Sequence, residues 1–229
     1  MNRPLLLDLF CGAGGAAMGY HRAGFDVVGV DIKPQPHYPF TFYEYDAMQL
    51  LRDLAANGAD YFIGWGRDFD AIHASPPCQD HTRGGSHPKH GTGWMLPAAR
   101  TLLEQTLEPW VIENVPGSPM RADYKLCGCM FDLRLPGMQL VRERWFETSW
   151  HGFEMREPCH HTGPAISVTG HGTTSYARDK IGRNPTIAEY RALMGGIDWM
   201  NRDELSQAIP PQYTEHIGSR LLEHLAVTA

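Results

Sequence analysis

The feature that most constrains this chain is a recurring order of segments. A short apolar run is followed by a punctuation of glycine, proline or acid, then by a stretch with helical spacing. Leu5 to Phe10 ends in a glycine cluster, and Ala16 to Ala23 follows as a helix. Phe25 to Val30 is a second apolar run, closed by Asp31. Tyr43 to Tyr45 marks a short third strand. Met48, Leu51, Leu54 and Ala55 then give Met48 to Ala56 helical spacing. Phe69 to Ala74 reads as a fourth strand, Met95 to Leu107 as a helix, and Trp110-Val111-Ile112 as a fifth strand. This alternation predicts an α/β fold, a mostly parallel sheet with helices on both faces. Ligands of such sheets bind outside the carboxyl ends of the strands. Every unusual residue cluster of this chain falls at such an end.

The rhythm breaks between Trp150 and Asn184, where Gly, His, Thr and Pro abound, and returns in the helical patterns Ile187 to Met194 and Gln212 to Leu225. Three units are therefore expected: a main body over 1–149, a small irregular insert over 150–184, and a C-terminal segment over 185–229. With 229 residues, 42% of them hydrophobic, the chain can bury a full core, and disorder is excluded. No apolar stretch approaches the ~18 residues of a membrane span. The run after Met1 is too short for a signal peptide, so a cytoplasmic location is expected. The net charge of −6 argues against a nonspecific nucleic-acid coat protein, yet leaves room for a basic cleft on an acidic body. Five cysteines without an export signal read as core residues, ligands or a nucleophile rather than disulfides.

Asp8-Leu9-Phe10-Cys11-Gly12-Ala13-Gly14-Gly15 joins a strand to a helix, and its glycines let the backbone turn sharply beside a ligand. Asp31, at the end of the next strand, stands where ribose hydroxyls would be accepted. The spacing is neither the G-x-G-x-x-G of a pyrophosphate cradle nor a phosphate loop. Asp8 instead suits a ligand with an ammonium group, such as S-adenosyl-L-methionine. The alternative is a tight turn with no ligand. Further on, Ala74-Ser75-Pro76-Pro77-Cys78-Gln79 follows the fourth strand, and two prolines stiffen the backbone ahead of a thiol. That arrangement aims a nucleophile, where an inert core cysteine would be the plainer reading. Asp80 to Gly93 is long enough to close over a substrate. Glu113 ends the fifth strand, in Trp110-Val111-Ile112-Glu113-Asn114-Val115, and should face the same cleft as Cys78.

Together these segments resemble the cytosine-5 methyltransferases, in family order along almost the whole chain. Asp8 to Gly15 looks like the cofactor motif, Pro76-Pro77-Cys78-Gln79 like the nucleophile motif, and Glu113-Asn114-Val115 like the motif that holds the target base. Arg142-Glu143-Arg144 resembles the paired arginines. Gln207-Ala208-Ile209-Pro210-Pro211, with Ile217-Gly218, resembles the C-terminal motif that folds back to the cofactor. Ser206-Gln207 stands where the family usually has Gly-Asn, and Leu140 where a glutamine usually precedes the arginines. The compact form is similar to enzymes carried by bacteriophages.

The resemblance implies a Rossmann-like S-adenosylmethionine-dependent methyltransferase fold over 1–149, a target-recognition insert over 150–184, and a C-terminal segment packed back on the catalytic domain. It implies a DNA (cytosine-5-)-methyltransferase acting on duplex DNA, with S-adenosyl-L-methionine as cofactor and S-adenosyl-L-homocysteine as product. Cys78 would add to C6 of a flipped-out cytosine. Glu113 would protonate or hydrogen-bond N3 and the exocyclic amine, and its burial would favour the protonated form. Arg144 would hold O2 or a phosphate near the base, and Arg142 would support the catalytic loop. By the same resemblance Asp8, Phe10, Gly12, Ala13, Gly14, Asp31, Ile32, Asp46, Pro77 and Gln207 would contact the cofactor. A helix N-cap is the plainer reading of Asp46. Gln79, Arg142, Arg144, His171, Arg178 and Lys180 would meet DNA.

Cys127-Gly128-Cys129 and Cys159-His160-His161 form a chemically sound zinc ligand set, but not with the spacing of a common finger. The expectation is no metal: core thiols and an imidazole against DNA phosphate. A monomer away from membranes is expected. The same motifs would serve an RNA methyltransferase, or an inactive nucleic-acid-binding relative. A nicotinamide dehydrogenase is disfavoured by the glycine spacing and the Pro-Pro-Cys-Gln loop. Restriction-modification and solitary roles both stay open.

Overall fold

A computed structural model of the chain describes residues 3–57, 68–78, 91–150, 159–161, 163–168 and 175–228. Its strands are β1 (Leu5–Leu9), β2 (Asp26–Asp31), β3 (Thr41–Glu44), β4 (Ala71–Ala74), β5 (Trp110–Asn114), β6 (Tyr124–Leu126), β7 (Arg134–Leu135), β8 (Met138–Leu140), β9 (Arg144–Thr148) and β10 (Ala165–Ile166). The helices are α1 (Gly15–Ala23), α2 (Ala47–Asn57), α3 (Met95–Leu103), α4 (Ser175–Ile181), α5 (Ile187–Leu193), α6 (Arg202–Gln207) and α7 (Pro211–Thr228). A seven-stranded sheet runs β3-β2-β1-β4-β5-β9-β6. The first five strands pair in parallel, and β9 and β6 add antiparallel pairs at the far edge.

The apolar runs reflect burial on both faces. Leu6, Val27, Ala71 and Val111 pack into the core that α1, α5 and α7 cover. Leu5, Leu7, Leu9, Val28, Val30, Ile72, Ala74 and Ile112 face the second core, beneath α2 and α3. The expected α/β sheet with helices on both faces is thus present, and its five parallel strands are those read from the sequence.

The rest departs from expectation for local reasons. The third strand starts two residues early, at Thr41 on an edge where most side chains are exposed, so alternation is faint. Helix α3 stops at Leu103 instead of Leu107. The amides of Gln105 and Thr106 bond carbonyls only three residues back, the Thr106 hydroxyl takes the Leu103 carbonyl, and Leu107 is 97% exposed. Nothing apolar rewards another turn, and Pro109 disfavours helix in the residue before it. Strands β6 to β10 were not anticipated. Short β7, β8 and β10 form a separate three-stranded sheet. Because β10 pairs with β8, this sheet joins residues on either side of the expected boundary at 149/150. The 150–184 stretch, expected to be irregular, contains β10 and α4.

Candidate active site

Three strand ends meet at one edge of the parallel sheet. At the end of β1 the chain passes into left-handed backbone at Phe10 (φ 58°) and Gly12 (φ 49°). Phe10 is a non-glycine residue in a conformation of the kind that clusters at functional sites. The Asp31 carboxylate, at the end of β2, locks the turn by accepting from the Gly12 amide (3.1 Å) and from the Lys33 amide (3.0 Å). A Cβ at Gly12 would meet nothing within 4 Å, whereas one at Gly15 would lie 2.5 Å from the Ile209 carbonyl oxygen. Gly12 thus opens onto free space, and Gly15 lets the Ala208–Ile209 segment press against the turn. Trp199 completes the frame by donating its indole N–H to the Ala13 carbonyl (2.8 Å).

Asp8 is fully buried behind this turn. The Tyr38 hydroxyl lies 3.5 Å from its Oδ2, and its Oδ1 has no hydrogen-bond partner among the described residues. Burial pushes the carboxyl well above its ordinary 3.8, more than the Tyr38 hydrogen bond pulls it down. An unsatisfied buried acceptor beneath an open glycine turn fits a ligand that brings positive charge.

The second strand end is the Pro76-Pro77-Cys78 loop after β4. Asn114, the last residue of β5, donates its side-chain amide to the Pro76 carbonyl (2.9 Å). Its oxygen accepts from the Val115 amide (2.9 Å) and the Ser118 hydroxyl (2.7 Å). The amide of Asn114 therefore ties the cysteine loop to the strand that carries Glu113. Cys78 and Pro77 are half-buried.

Glu113 is 6% exposed, with its Oε1 3.0 Å from Arg144 Nε. Burial raises its pKa above the ordinary 4.5 despite opposing pulls from Arg144, Arg142 and a Ser75 hydrogen bond. Beneath it runs a file of buried polar groups. The Tyr20 hydroxyl lies 2.9 Å from His73 Nδ1, and His73 Nε2 lies 2.8 Å from Ser75 Oγ. With Ser75 donating to Glu113, its oxygen accepts from Nε2–H, and Nδ1 accepts from Tyr20. All three donors then point toward the carboxylate. The imidazole is neutral, because burial pushes its pKa down to about 3. Sequence reasoning missed Tyr20, His73 and Ser75. The available signal was a histidine inside the apolar strand Ala71-Ile72-His73-Ala74.

Arg142 is buried, and its donors are taken by main-chain carbonyls: Nε to Ala208 (3.0 Å), Nη1 to Val168 (3.1 Å) and Nη2 to Ser206 (2.7 Å). Burial lowers its pKa to about 9, so it stays charged at neutral pH. This is the place of a strut between the β8–β9 connection, the insert and the C-terminal segment. It differs from the expected DNA contact. Asp46 caps α2 by accepting from the Met48 amide (2.8 Å) and the Gln49 amide (3.2 Å). Ile32, 64% exposed, and Gln207, at the end of α6, are both open to solvent. Arg178 and Lys180 lie exposed in the last turn of α4. Gln79 and His171 lie outside the described residues, as do 80–90.

Similarity to known proteins bears on the family and the fold. Residues 5–120 match the family profile described as C-5 cytosine-specific DNA methylase. The chain is 32% identical over 124 residues to the type II methyltransferase M.XorII of Xanthomonas oryzae pv. oryzae, covering 51% of this chain and 29% of that protein. It is 30% identical over 113 residues to the type II methyltransferase M.HgiGI of Herpetosiphon aurantiacus, covering 48% of this chain and 88% of that protein. The chain thus spans about a third of M.XorII but most of M.HgiGI. Among solved structures, a DNA modification methyltransferase encoded within an Escherichia coli prophage superposes with a TM-score of 0.63 at 15% identity, over 97% of this chain and 99% of that one. The Dnmt2 methyltransferase of S. pombe gives a TM-score of 0.58 at 16% identity, over 97% and 99%. At those identities the structures bear on the fold alone, whereas the profile covers half the sequence, and with it the chain belongs to the C-5 cytosine-specific DNA methylase family.

Proposed function

We propose that the chain methylates C5 of cytosine in duplex DNA through a covalent adduct of Cys78, with S-adenosyl-L-methionine as methyl donor. The observation that carries this reading is the tie between the cysteine loop and the acid-bearing strand. One side chain, Asn114, fixes the loop that ends in Cys78 beside the strand that presents a buried Glu113 of raised pKa.

S-adenosyl-L-methionine supplies the methyl group. Asp8, Phe10, Gly12, Ala13, Gly14 and Asp31 would hold it, with the buried Asp8 carboxylate toward its positive charge. Ile32, Asp46, Pro77 and Gln207 would complete the contacts. The Cys78 thiolate adds to C6 of the cytosine, and Glu113 donates a proton or hydrogen bond at N3. Negative charge then does not accumulate on the ring. C5 takes the methyl group, a base removes the C5 proton, and elimination returns Cys78. Arg144, already paired with Glu113, would steady the carboxyl and the base. In a duplex the target must leave the stack for this to happen.

The test is methyl transfer from labelled S-adenosyl-L-methionine to duplex DNA, with tRNA in parallel. A duplex carrying 5-fluorocytosine at the target should trap the wild-type chain as a denaturation-resistant adduct. Cys78→Ser should abolish both transfer and adduct while keeping S-adenosyl-L-homocysteine binding. A fully active Cys78→Ser variant would overturn the covalent step, and methylation of tRNA alone would overturn the substrate.

A further inference from the structure

Four side chains far apart in sequence converge on one point outside the catalytic edge. Cys127 and Cys129 flank the turn that follows β6. Cys159 comes thirty positions after Cys129, and His161 two further on, shortly before β10. The Cys129 and Cys159 sulfurs lie 2.6 Å apart, Cys159 Sγ is 2.6 Å from His161 Nε2, and Cys127 Sγ is 3.4 Å from the same nitrogen. All four donor atoms fall within 4.8 Å of one another. The spacing is C-x-C followed by C-x-H, which no common finger uses, so no finger motif in the sequence points to a metal.

We propose that Cys127, Cys129, Cys159 and His161 form a structural zinc site. Zn–S bonds of ~2.3 Å and Zn–N bonds of ~2.0 Å in a tetrahedron place neighbouring donor atoms ~3.5–3.8 Å apart. The four donors occupy a volume of that size, and modest side-chain rotations open the two short contacts to it. Three soft thiolates with one imidazole are the donor set that selects zinc over magnesium or calcium. Four protein ligands close the coordination sphere, so the site has no position for a substrate and serves structure. The burial gradient suits entry, because Cys127 is buried, Cys129 and Cys159 are half-buried, and His161 is exposed. On binding, the thiols release their protons as the sulfur–metal bonds form.

The location gives the ion a task. Cys127 and Cys129 sit on the turn leaving β6, the edge strand of the large sheet. The other two ligands sit just before β10, which pairs with β8 for only two residues, Ala165 with Gln139 and Ile166 with Leu140. So short a pairing cannot fix an insert on its own. A zinc ion would staple the small sheet to the edge of the catalytic sheet, in the way small folds replace missing core with metal.

Metal analysis of the wild-type chain, purified under reducing conditions without chelator, should give close to one zinc per chain. His161→Ala and Cys159→Ser should lose it, and Cys78→Ser should keep it. Exchange into cobalt should produce thiolate-to-cobalt charge-transfer absorption. Chelation should lower the melting midpoint, and added zinc should restore it. His161 is exposed, so its alanine variant keeps the test open if a cysteine variant does not fold. Wild-type protein that holds no zinc and takes up neither zinc nor cobalt would overturn the proposal. So would an isolated Cys129–Cys159 disulfide under the same conditions. Methyl transfer is not the readout, so failure here is distinct from failure of the catalytic reading.

Discussion

Replacing Arg142 with methionine tests whether the paired-arginine motif divides its labour between chemistry and architecture. The guanidinium satisfies three buried carbonyls, on Val168, Ser206 and Ala208. Leaving a buried acceptor without its donor costs about 1–3 kcal/mol each. Part of that is offset, because methionine does not have to be stripped of the water that a buried cation gives up. The three carbonyls also act as one unit, so the costs do not simply add. A net loss of about 3–5 kcal/mol follows from these three effects. At about 2–4 °C per kcal/mol for a chain of this length, the melting midpoint should fall by roughly 10 °C. Arg142→Lys, which offers one ammonium for three acceptors, should fall between the two. The assay is thermal unfolding followed by circular dichroism, without DNA, beside a DNA-binding titration at a temperature where every variant is folded. A methionine variant that melts within about 2 °C of wild type but has lost DNA affinity would refute the strut and restore a direct contact.

Two further predictions concern ionisable groups. Asp8 has a raised pKa in the folded chain, so folding favours its protonated form, and its ionisation costs stability progressively as pH rises above 3.8. Asp8→Asn should therefore unfold at higher urea concentration than wild type at pH 7, with a gain that shrinks toward zero below pH 3.8, and should bind S-adenosyl-L-homocysteine more weakly. A gain that does not grow between pH 4 and 7 would show that Asp8 is not the desolvated acid described. Ser75 stabilises the Glu113 carboxylate, so Ser75→Ala should raise the Glu113 pKa further. The pH at which turnover declines as Glu113 loses its proton should move up, because the charged form then lacks the hydroxyl that hydrogen-bonds it. A limb that stays put or moves down would remove Ser75 from the relay.

The parallel strands were legible because both their faces are buried, which writes them as near-continuous apolar runs such as Leu5-Leu6-Leu7. Strand β9 was not, because its interior position Glu147 is a carboxylate. That acid is buried because Arg100 grips it with two hydrogen bonds, at 2.9 and 2.7 Å, and the Arg121 amide donates a third at 3.0 Å. A pairing partner forty-seven positions away leaves no local trace. The same distinction divides the site. Cys78 and Glu113 announce themselves through the prolines and the strand beside them. The support of Glu113 runs instead through Tyr20 and His73, fifty-three positions apart, and becomes visible only when α1 is laid across β4. Asn114 belongs to the Glu113-Asn114-Val115 motif, but its grip on Pro76 is a property of the fold.

The packing of the glycine turn also sets an order in time. Ala13 receives the Trp199 indole 186 positions later, and Ala16 receives the Thr214 hydroxyl 198 positions later. Chains emerge from the ribosome amino end first, and contacts between distant residues are the slowest to form. The turn after β1 is synthesised before α7, and it cannot be braced until α7 has been made. A nascent chain shorter than Thr214 can therefore assemble β1 to β5 and still present a cofactor turn without its backing. Competence to bind waits until α7 docks on α1.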